Sequence, residues 1–440
     1  MAESPSPADF PDGTKTSVRP VWIPTRAAAR ARLAAFLPLA GGAYARQRGF
    51  DLGSEHHGES VSLLSPWLRH RLLTEPEVIE AALDHHGLEA AEKFVQEVCW
   101  RSYWKGWLER RPPVWTDYRT RVREQMRSLD ADPGLRERWE SATAGKTGID
   151  CFDHWARELV TTGYLHNHAR MWFASIWLFT LELPWALGAD FFLRHLLDGD
   201  AASNTLSWRW VAGLQTRGKI YLARPDNIAH YTAGRFRPSA RLAVEAEPPA
   251  APPLPEPRPL PEQHDWDRSA ATGLLLTEDD LSPEYLGKPG APLRTVLAFK
   301  ATVQRSPLPV ATSVHAFADG ALRDALTRMA PCAESVGPVC EGPGAIDSLV
   351  ERARAAGLRQ LVTPYIPCGP TADALAPLRT RLAAADIDLV AVMRPWDTLA
   401  WTHAPRGFFA FWKRIRPRLG CASSPPGAVA RPDPAATVRR

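Results

Sequence analysis

The run Pro248-Pro249-Ala250-Ala251-Pro252-Pro253-Leu254-Pro255 constrains this chain more than any other feature. Proline fixes φ and lacks a backbone N–H, so such a stretch is stiff and extended and cannot pack a core. The chain has 440 residues, too many for one core, and the run marks where it divides. We read 25–240 as one domain, 241–290 as a Pro-rich linker and 291–418 as a second domain. Residues 1–24 and the Pro/Ala/Arg-rich residues 419–440 read as disordered ends.

The two sides of the linker differ in period. Before it, 26–37, 76–85, 88–108, 150–162 and 166–181 carry the propensity or the three- and four-residue apolar spacing of helices. Residues 58–64 and 198–204 read as turns between them. After it, 295–299, 358–363 and 387–393 are short apolar runs that suit buried parallel strands. Helical stretches 319–329, 345–356 and 371–385 alternate with those strands. The fold class expected is mainly α: an all-helical domain followed by a smaller α/β parallel-sheet domain, Rossmann-like but without a G-x-G-x-x-G turn.

Bulk properties exclude little. The net charge of +4 permits nucleic acid without arguing for it. No apolar run is long enough to cross a bilayer, and residues 1–17 do not read as a signal peptide, so a cytoplasmic location without membrane contact is expected. The six cysteines form no C-x-x-C pair and read as free thiols, not as a metal or disulfide framework. Thirteen of the seventeen tryptophans precede residue 245; many of these must be core, and a protein that moves electrons or stacks on bases would also need some of them.

Three segments carry possible chemistry. Phe94, Glu97, Trp100 and Arg101 share a helix surface, although an amphipathic border explains that set alone. His166-Asn167-His168-Ala169-Arg170-Met171 opens a very apolar helix; its polar groups need partners if buried, or else form a solvated helix start. Asp198-Gly199-Asp200-Ala201-Ala202-Ser203-Asn204 precedes Ser207-Trp208-Arg209-Trp210. Its two carboxylates miss the calcium pattern D-x-[DN]-x-[DN]-G, so a hydrogen-bonding turn is preferred and no metal is expected.

Together these segments resemble the DNA photolyase/cryptochrome family over about 26–237. The family's Thr-Ser-x-Leu-Ser-Pro phosphate loop is similar to Ser62-Leu63-Leu64-Ser65-Pro66, with Val61 in place of Thr and Leu63 where Arg is common. Its Glu-x-x-Trp-Arg-Glu-Tyr helix resembles Glu97-Val98-Cys99-Trp100-Arg101-Ser102-Tyr103. Its Thr-Gly, Asp and Thr-Gly-Tyr-Met-His-Asn-Arg-x-Arg-Met segments resemble Thr147-Gly148, Asp153 and the stretch from Thr162 to Met171. Its Asp-Gly-Asp-x-Ala-x-Asn and Trp-x-Trp match the stretch from Asp198 to Trp210 in order and spacing.

The resemblance implies bent FAD inside the helical domain. Tyr44, Ser62, Leu64, Ser65 and Arg101 would meet its diphosphate, Phe94 would line the site, and Asp198 would pair with Arg170 near the flavin ring. Asp200 would accept from the ring's imide edge and Asn204 would face N5. Trp100 and Trp210 would hold a flipped pyrimidine dimer, Glu97 would hydrogen-bond its carbonyl edge, and Asn167 and Met171 mark cyclobutane-dimer enzymes. Trp208 and Trp185 fall on the inner positions of the family's electron-transfer chain. The outer position aligns near Arg121, which cannot relay an electron; Trp104, Trp107, Trp115 or Tyr118 would have to stand in. Arg217, Lys219 and Arg224 follow as phosphate contacts or as a solvated basic loop.

The family places an antenna-type α/β domain before the helical one. Here the region after the linker resembles it, either as a rearranged order or as an unrelated α/β fusion. The family's opening Phe-Arg-x-Asp-Leu-Arg segment is missing, which leaves an antenna chromophore open. The function implied is light-driven repair of cyclobutane dimers in UV-damaged DNA by electron transfer from reduced FAD, a lyase reaction of a monomer. The alternative is a cryptochrome-like blue-light photoreceptor. A flavin-free DNA-binding protein is the third reading, against which Arg101, Asp198, Asp200 and Asn204 speak.

Overall fold

The computed structural model describes residues 21–287, 290 and 292–419, so the two ends read as disordered lie almost wholly outside the described residues. The first unit is helical: α1 (Arg26–Phe36), α2 (Gly42–Gln47), α3 (His57–Ser60), α4 (Ser65–Arg69), α5 (Glu75–Glu109), α6 (Pro112–Ala131), α7 (Pro133–Thr143), α8 (Asp150–Thr162), α9 (Asn167–Ser175), α10 (Trp185–His195), α11 (Ala201–Val211) and α12 (Pro225–Tyr231). Local chemistry sets many of these ends. Thr25 caps α1 by accepting from the Ala28 N–H, and Thr74 with Glu77 forms a capping box before α5. Gly163, in the left-handed region, closes α8.

Several boundaries differ from the sequence reading. The two helices expected at 76–85 and 88–108 are both present, as the two halves of α5 on either side of Gly87, whose φ 72°, ψ 165° is not helical. The helix expected over 166–181 gives way after Ser175 to a wider π turn at Ile176–Thr180. The stretch 198–204 is a turn only as far as Asp200, whose side chain accepts from the Ala202 and Ser203 N–H groups and starts α11. Likewise α3 occupies part of the expected turn 58–64.

The second unit contains β1 (Thr272–Thr277), β2 (Thr295–Lys300), α13 (Thr312–Met329), β3 (Val336–Glu341), α14 (Ala345–Ala355), β4 (Gln360–Pro364), α15 (Pro370–Leu375), α16 (Leu378–Ala383), β5 (Asp388–Val392), α17 (Pro395–Thr402) and α18 (Phe408–Ile415). Its five strands are parallel in the order β3-β2-β1-β4-β5. The central strand β1 lies inside 241–290, so the α/β unit starts earlier than the linker reading allowed. β1 follows a long Pro-rich approach and includes Gly273, which weakens the strand signal. β3 also escapes the periodic reading because it holds Gly337 and Pro338; proline is tolerated there since β3 is an edge strand. Leu275, Leu297, Phe299 and Leu361 point to one face, against α14 and α16. Leu274, Leu276, Val296 and Ala298 point to the other, where they join α13 and the core of the helical unit.

The Pro-rich segment lies against the helical unit. Arg111 donates to the Pro255 carbonyl at 3.0 Å, and the Arg258 N–H donates to the Arg110 carbonyl at 2.7 Å.

Two contacts lock the units together. The first is packing of α5 on α17. A Cβ on Gly106 would come within 2.8 Å of the Trp401 backbone, so only glycine permits this approach. The second is ionic. Arg69-His70-Arg71, which leaves α4, faces Glu278-Asp279-Asp280, which leaves β1. Arg69 donates to Asp279 at 2.6 Å, and His70 Nδ1 donates to the Glu278 carbonyl at 2.7 Å. Arg71 forks onto Asp397 with two bonds of 2.7 Å and reaches Asp280 at 3.1 Å, while Arg394 donates to Asp280 at 2.7 Å. Burial alone would raise the Asp280 carboxyl; Arg394 and Arg71 hold it below its ordinary value.

Breaking a buried ion pair from one side leaves an uncompensated charge and costs about 3–5 kcal/mol. Asp280→Ala strands Arg394, while Arg71 keeps its fork on Asp397, and should lower the urea midpoint by that much stability. Arg30→Ala, which removes only a solvent-facing partner of Glu77, should move it by less than about 0.5 kcal/mol.

Candidate functional site

A cavity of about 530 Å³ opens inside the helical unit, walled by α5, α9, α11 and the loop 61–65. The second half of α5 contributes Phe94, Glu97, Trp100, Arg101 and Trp104 to it. Asn167, Arg170 and Met171 stand on one face of α9 and enter together. Asp198, Asp200, Asn204, Trp208 and Trp210 come from the turn before α11 and from α11, and Tyr44, Ser62, Leu64 and Ser65 close the remaining side. Every site residue expected from the sequence therefore lines one cavity except Trp185.

The cavity's electrostatics are set from behind its walls. Arg170 grips Asp198 with bonds of 3.1 and 2.8 Å, and the Arg170 Nε–H donates to the Leu165 carbonyl. Burial works to raise the Asp198 carboxyl, and Arg170 outweighs it and lowers it. Asp200 spends Oδ1 on the cap of α11, while Oδ2 faces Lys105 at 3.4 Å and Arg101 at 3.9 Å. Despite burial, those cations hold Asp200 well below the carboxylate range. Capacity for the imide-edge role is thus limited to the lone pairs left on these two oxygens. Arg101 Nη1 and Lys105 Nζ are buried and lack a hydrogen-bond partner. Arg101 lines the cavity, so its unpartnered Nη1 favours an anion there, whereas Lys105 lies behind the wall in the crevice towards the α/β unit. Asn204 donates one Nδ2 hydrogen to the Ala189 carbonyl at 2.7 Å, which orients its amide in the wall.

The loop 61–65 is organised by a residue that the motif does not contain. Arg32 donates to the carbonyls of Ser62, Gly58 and Val61 at 2.8, 3.2 and 3.3 Å. Leu63, where the family pattern favours Arg, adopts a left-handed φ of 60°. Arg48 is also new: it forms an ion pair with Glu97 at the cavity edge. Arg32, Arg48 and Lys105 were legible only as cations on expected or unassigned helices.

The histidines flanking Asn167 do not line the cavity. His166 Nδ1 accepts from the His168 N–H, and His168 stacks on Trp172 at 4.1 Å with its Nδ1–H donating to the Gly49 carbonyl. Trp100 lies face to face with Phe408 of α18, ring centroids 3.7 Å apart and 7° from parallel. This wall is thus backed by the α/β unit.

Behind Trp208 the aromatic path bends. Trp185 lies 5.9 Å from Tyr118, which lies 5.3 Å from Trp115. Arg121 is engaged with Asp117 at 2.8 Å. Of the possible outer residues, Tyr118 and Trp115 continue the line from Trp185, whereas Trp104 sits in the cavity wall and Trp107 lies under Arg111. Among the described residues no helix is long and apolar enough to cross a membrane.

Residues 94–232 match the family described as the FAD binding domain of DNA photolyase. A deoxyribodipyrimidine photo-lyase of Streptomyces griseus is 40% identical over 184 residues, 39% of this chain and 39% of that protein. One from Thermus thermophilus is 34% identical over 201 residues, 44% of each. A solved bacterial class III photolyase from Agrobacterium tumefaciens aligns with TM-score 0.40 and 27% identity over 49% of this chain and 44% of that one. The chain spans about two fifths of the length of the curated relatives it matches.

Burial pushes the His166 imidazole down to about 3 from an ordinary 6.5, so the folded site holds it neutral. The unfolded chain binds that proton first. Stability is therefore complete above about pH 6.5 and declines as pH falls towards 3. His166→Asn keeps an acceptor at the start of α9 without a titrating ring. Denaturant melts across this range should show a shallower acid decline in the variant.

Proposed function

We propose that this member of the DNA photolyase/cryptochrome family binds FAD in the helical cavity and repairs cyclobutane pyrimidine dimers in DNA by light-driven electron transfer. One observation carries the reading: Glu97, Trp100, Asn167, Met171 and Trp210 converge on the same cavity as Arg101, Arg170, Asp198 and Asp200. A pure light sensor needs the second set but has no use for the first.

Bound in this cavity, reduced FAD would supply the light-driven one-electron chemistry that opens the two carbon–carbon bonds of the cyclobutane ring. Arg101 would meet the diphosphate's charge, and Ser62, Ser65 and the backbone of Leu64 would supply further hydrogen bonds. Phe94 and Tyr44, in edge contact at 5.2 Å, close the cofactor's apolar side. Asn204 presents its amide to the ring, and Arg170 keeps Asp198 ionised beside it. Trp100 and Trp210 enclose an extruded dimer, whose already poor stacking lowers the cost of flipping it out. Glu97, aimed by Arg48, hydrogen-bonds its edge. Trp208 and Trp185 begin the route by which the cofactor is re-reduced, and Arg217 and Lys219 offer phosphate contacts.

The α/β unit is taken as the family's antenna-type domain, moved behind the FAD domain. The doubly wound five-strand sheet supports this reading.

The test is light-dependent recovery of thymine absorbance from an oligonucleotide bearing one cyclobutane dimer. Glu97→Ala should retain flavin and lower repair several-fold. Trp100→Ala should cost the lesion roughly 1–3 kcal/mol of binding, the scale of one lost base–aromatic contact. Arg101→Ala should purify with less flavin. Photoreducible flavin without recovery would replace repair by the photoreceptor reading.

A further inference from the structure

Of all the tryptophan and phenylalanine side chains among the described residues, only Trp210 and Phe409 are exposed, at 38% and 78%. Trp210 lines the cavity and Phe409 does not. Phe409 nonetheless adjoins it: its ring lies 5.9 Å from Phe408, which stacks on Trp100 of the cavity wall. Phe408 is anchored on both sides, by Trp100 and by Trp412 at 6.5 Å, and the Tyr103 hydroxyl donates to the Arg406 carbonyl just before α18. An exposed ring thus stands on a fixed helix, one residue from a ring packed on the cavity wall.

Its surroundings are basic. Arg406, Lys413, Arg414, Arg416 and Arg418 surround it in sequence with no acidic residue among them. Lys413 follows Phe409 by one helical turn and shares its face. Among the described residues Arg416 alone of these cations is in a salt bridge, with Glu92 at 3.1 Å. The chain's last residues, with Arg431, Arg439 and Arg440 against a single Asp433, carry the same sign and are a poor match for this surface. An aromatic face flanked by unpaired cations fits a nucleobase with its phosphates.

We infer that α18 of the α/β unit is a second DNA contact, in which Phe409 stacks on a base beside the extruded pair and Lys413 and Arg406 hold the adjoining phosphates. The inference rests on the repair reading above. Extruding two nucleotides unstacks their neighbour, and Phe409 covers the face so exposed.

The test compares two ligands with the flavin-loaded full chain. One is an oligonucleotide long enough to cross the rim, with one cyclobutane thymine dimer and 2-aminopurine beside it. The other is the dimer as a bare dinucleotide. Phe409→Ala should weaken the oligonucleotide roughly tenfold and abolish the aminopurine quench, leaving the dinucleotide and the flavin spectrum unchanged. Phe409→Tyr should restore both properties. Lys413→Ala should reduce the salt slope of oligonucleotide binding by about one. Equal oligonucleotide affinity for wild type and Phe409→Ala overturns the inference. So does an equal loss for both ligands, which marks a structural role. A wild-type chain that binds neither ligand overturns the repair reading and this inference with it.

Discussion

The structure depends on the buried apposition of Arg69-His70-Arg71 with Glu278-Asp279-Asp280. Neither triplet could be buried alone, because each carries charge that water would otherwise solvate. Set against each other, they bring two units of different architecture into one register. Arg71 is held at a left-handed φ of 49° to make this contact, a conformation that the two carboxylates of Asp397 and Asp280 secure. The same array reaches the candidate site: the Arg69 Nε–H donates to the Gly199 carbonyl at 2.8 Å, between Asp198 and Asp200.

That docking also relocates the binding site. A doubly wound sheet ordinarily takes its ligand outside the carboxyl ends of its strands, where the strand order reverses. Here that crevice lies between β1 and β4, and Arg69, Lys105 and Ala201 of the helical unit fill it beside Asp279 and Cys368, leaving about 10 Å³. The usable volume sits instead among the helices, with cations at its base and aromatic rings at its rim.

One helix mediates between the two. Along the second half of α5, Phe94, Glu97 and Arg101 face the cavity, while Ser102, Tyr103 and Gly106 face the α/β unit. Ser102 accepts from the Trp396 Nε1–H at 2.8 Å, and Gly106 admits Trp401. A helix buried on opposite faces lacks a single apolar stripe. It also means that changes in α18 act on Trp100 through contact rather than through a distant relay.

The sequence by itself determined the two architectures and the residues that line the cavity, but it set the start of the α/β unit too late, since β1 lies within 241–290. Helical spacing put Phe94, Glu97 and Arg101 on one surface and Asn167, Arg170 and Met171 on another, and the motifs supplied Asp198, Asp200 and Asn204. These signals are local, carried by period and by residues a few positions apart. Less legible were β1 and β3, whose glycines and proline weaken the strand pattern, and the true extent of α11, which a capping aspartate disguised as a loop. Only the tertiary structure decided which loops meet. Arg32 beneath the phosphate loop, Arg48 on Glu97, Lys105 beside Asp200 and Phe408 over Trp100 are pairings between separate elements. No local pattern announces them, because a cation or a ring acquires its role from the burial and charge of partners that folding alone brings near.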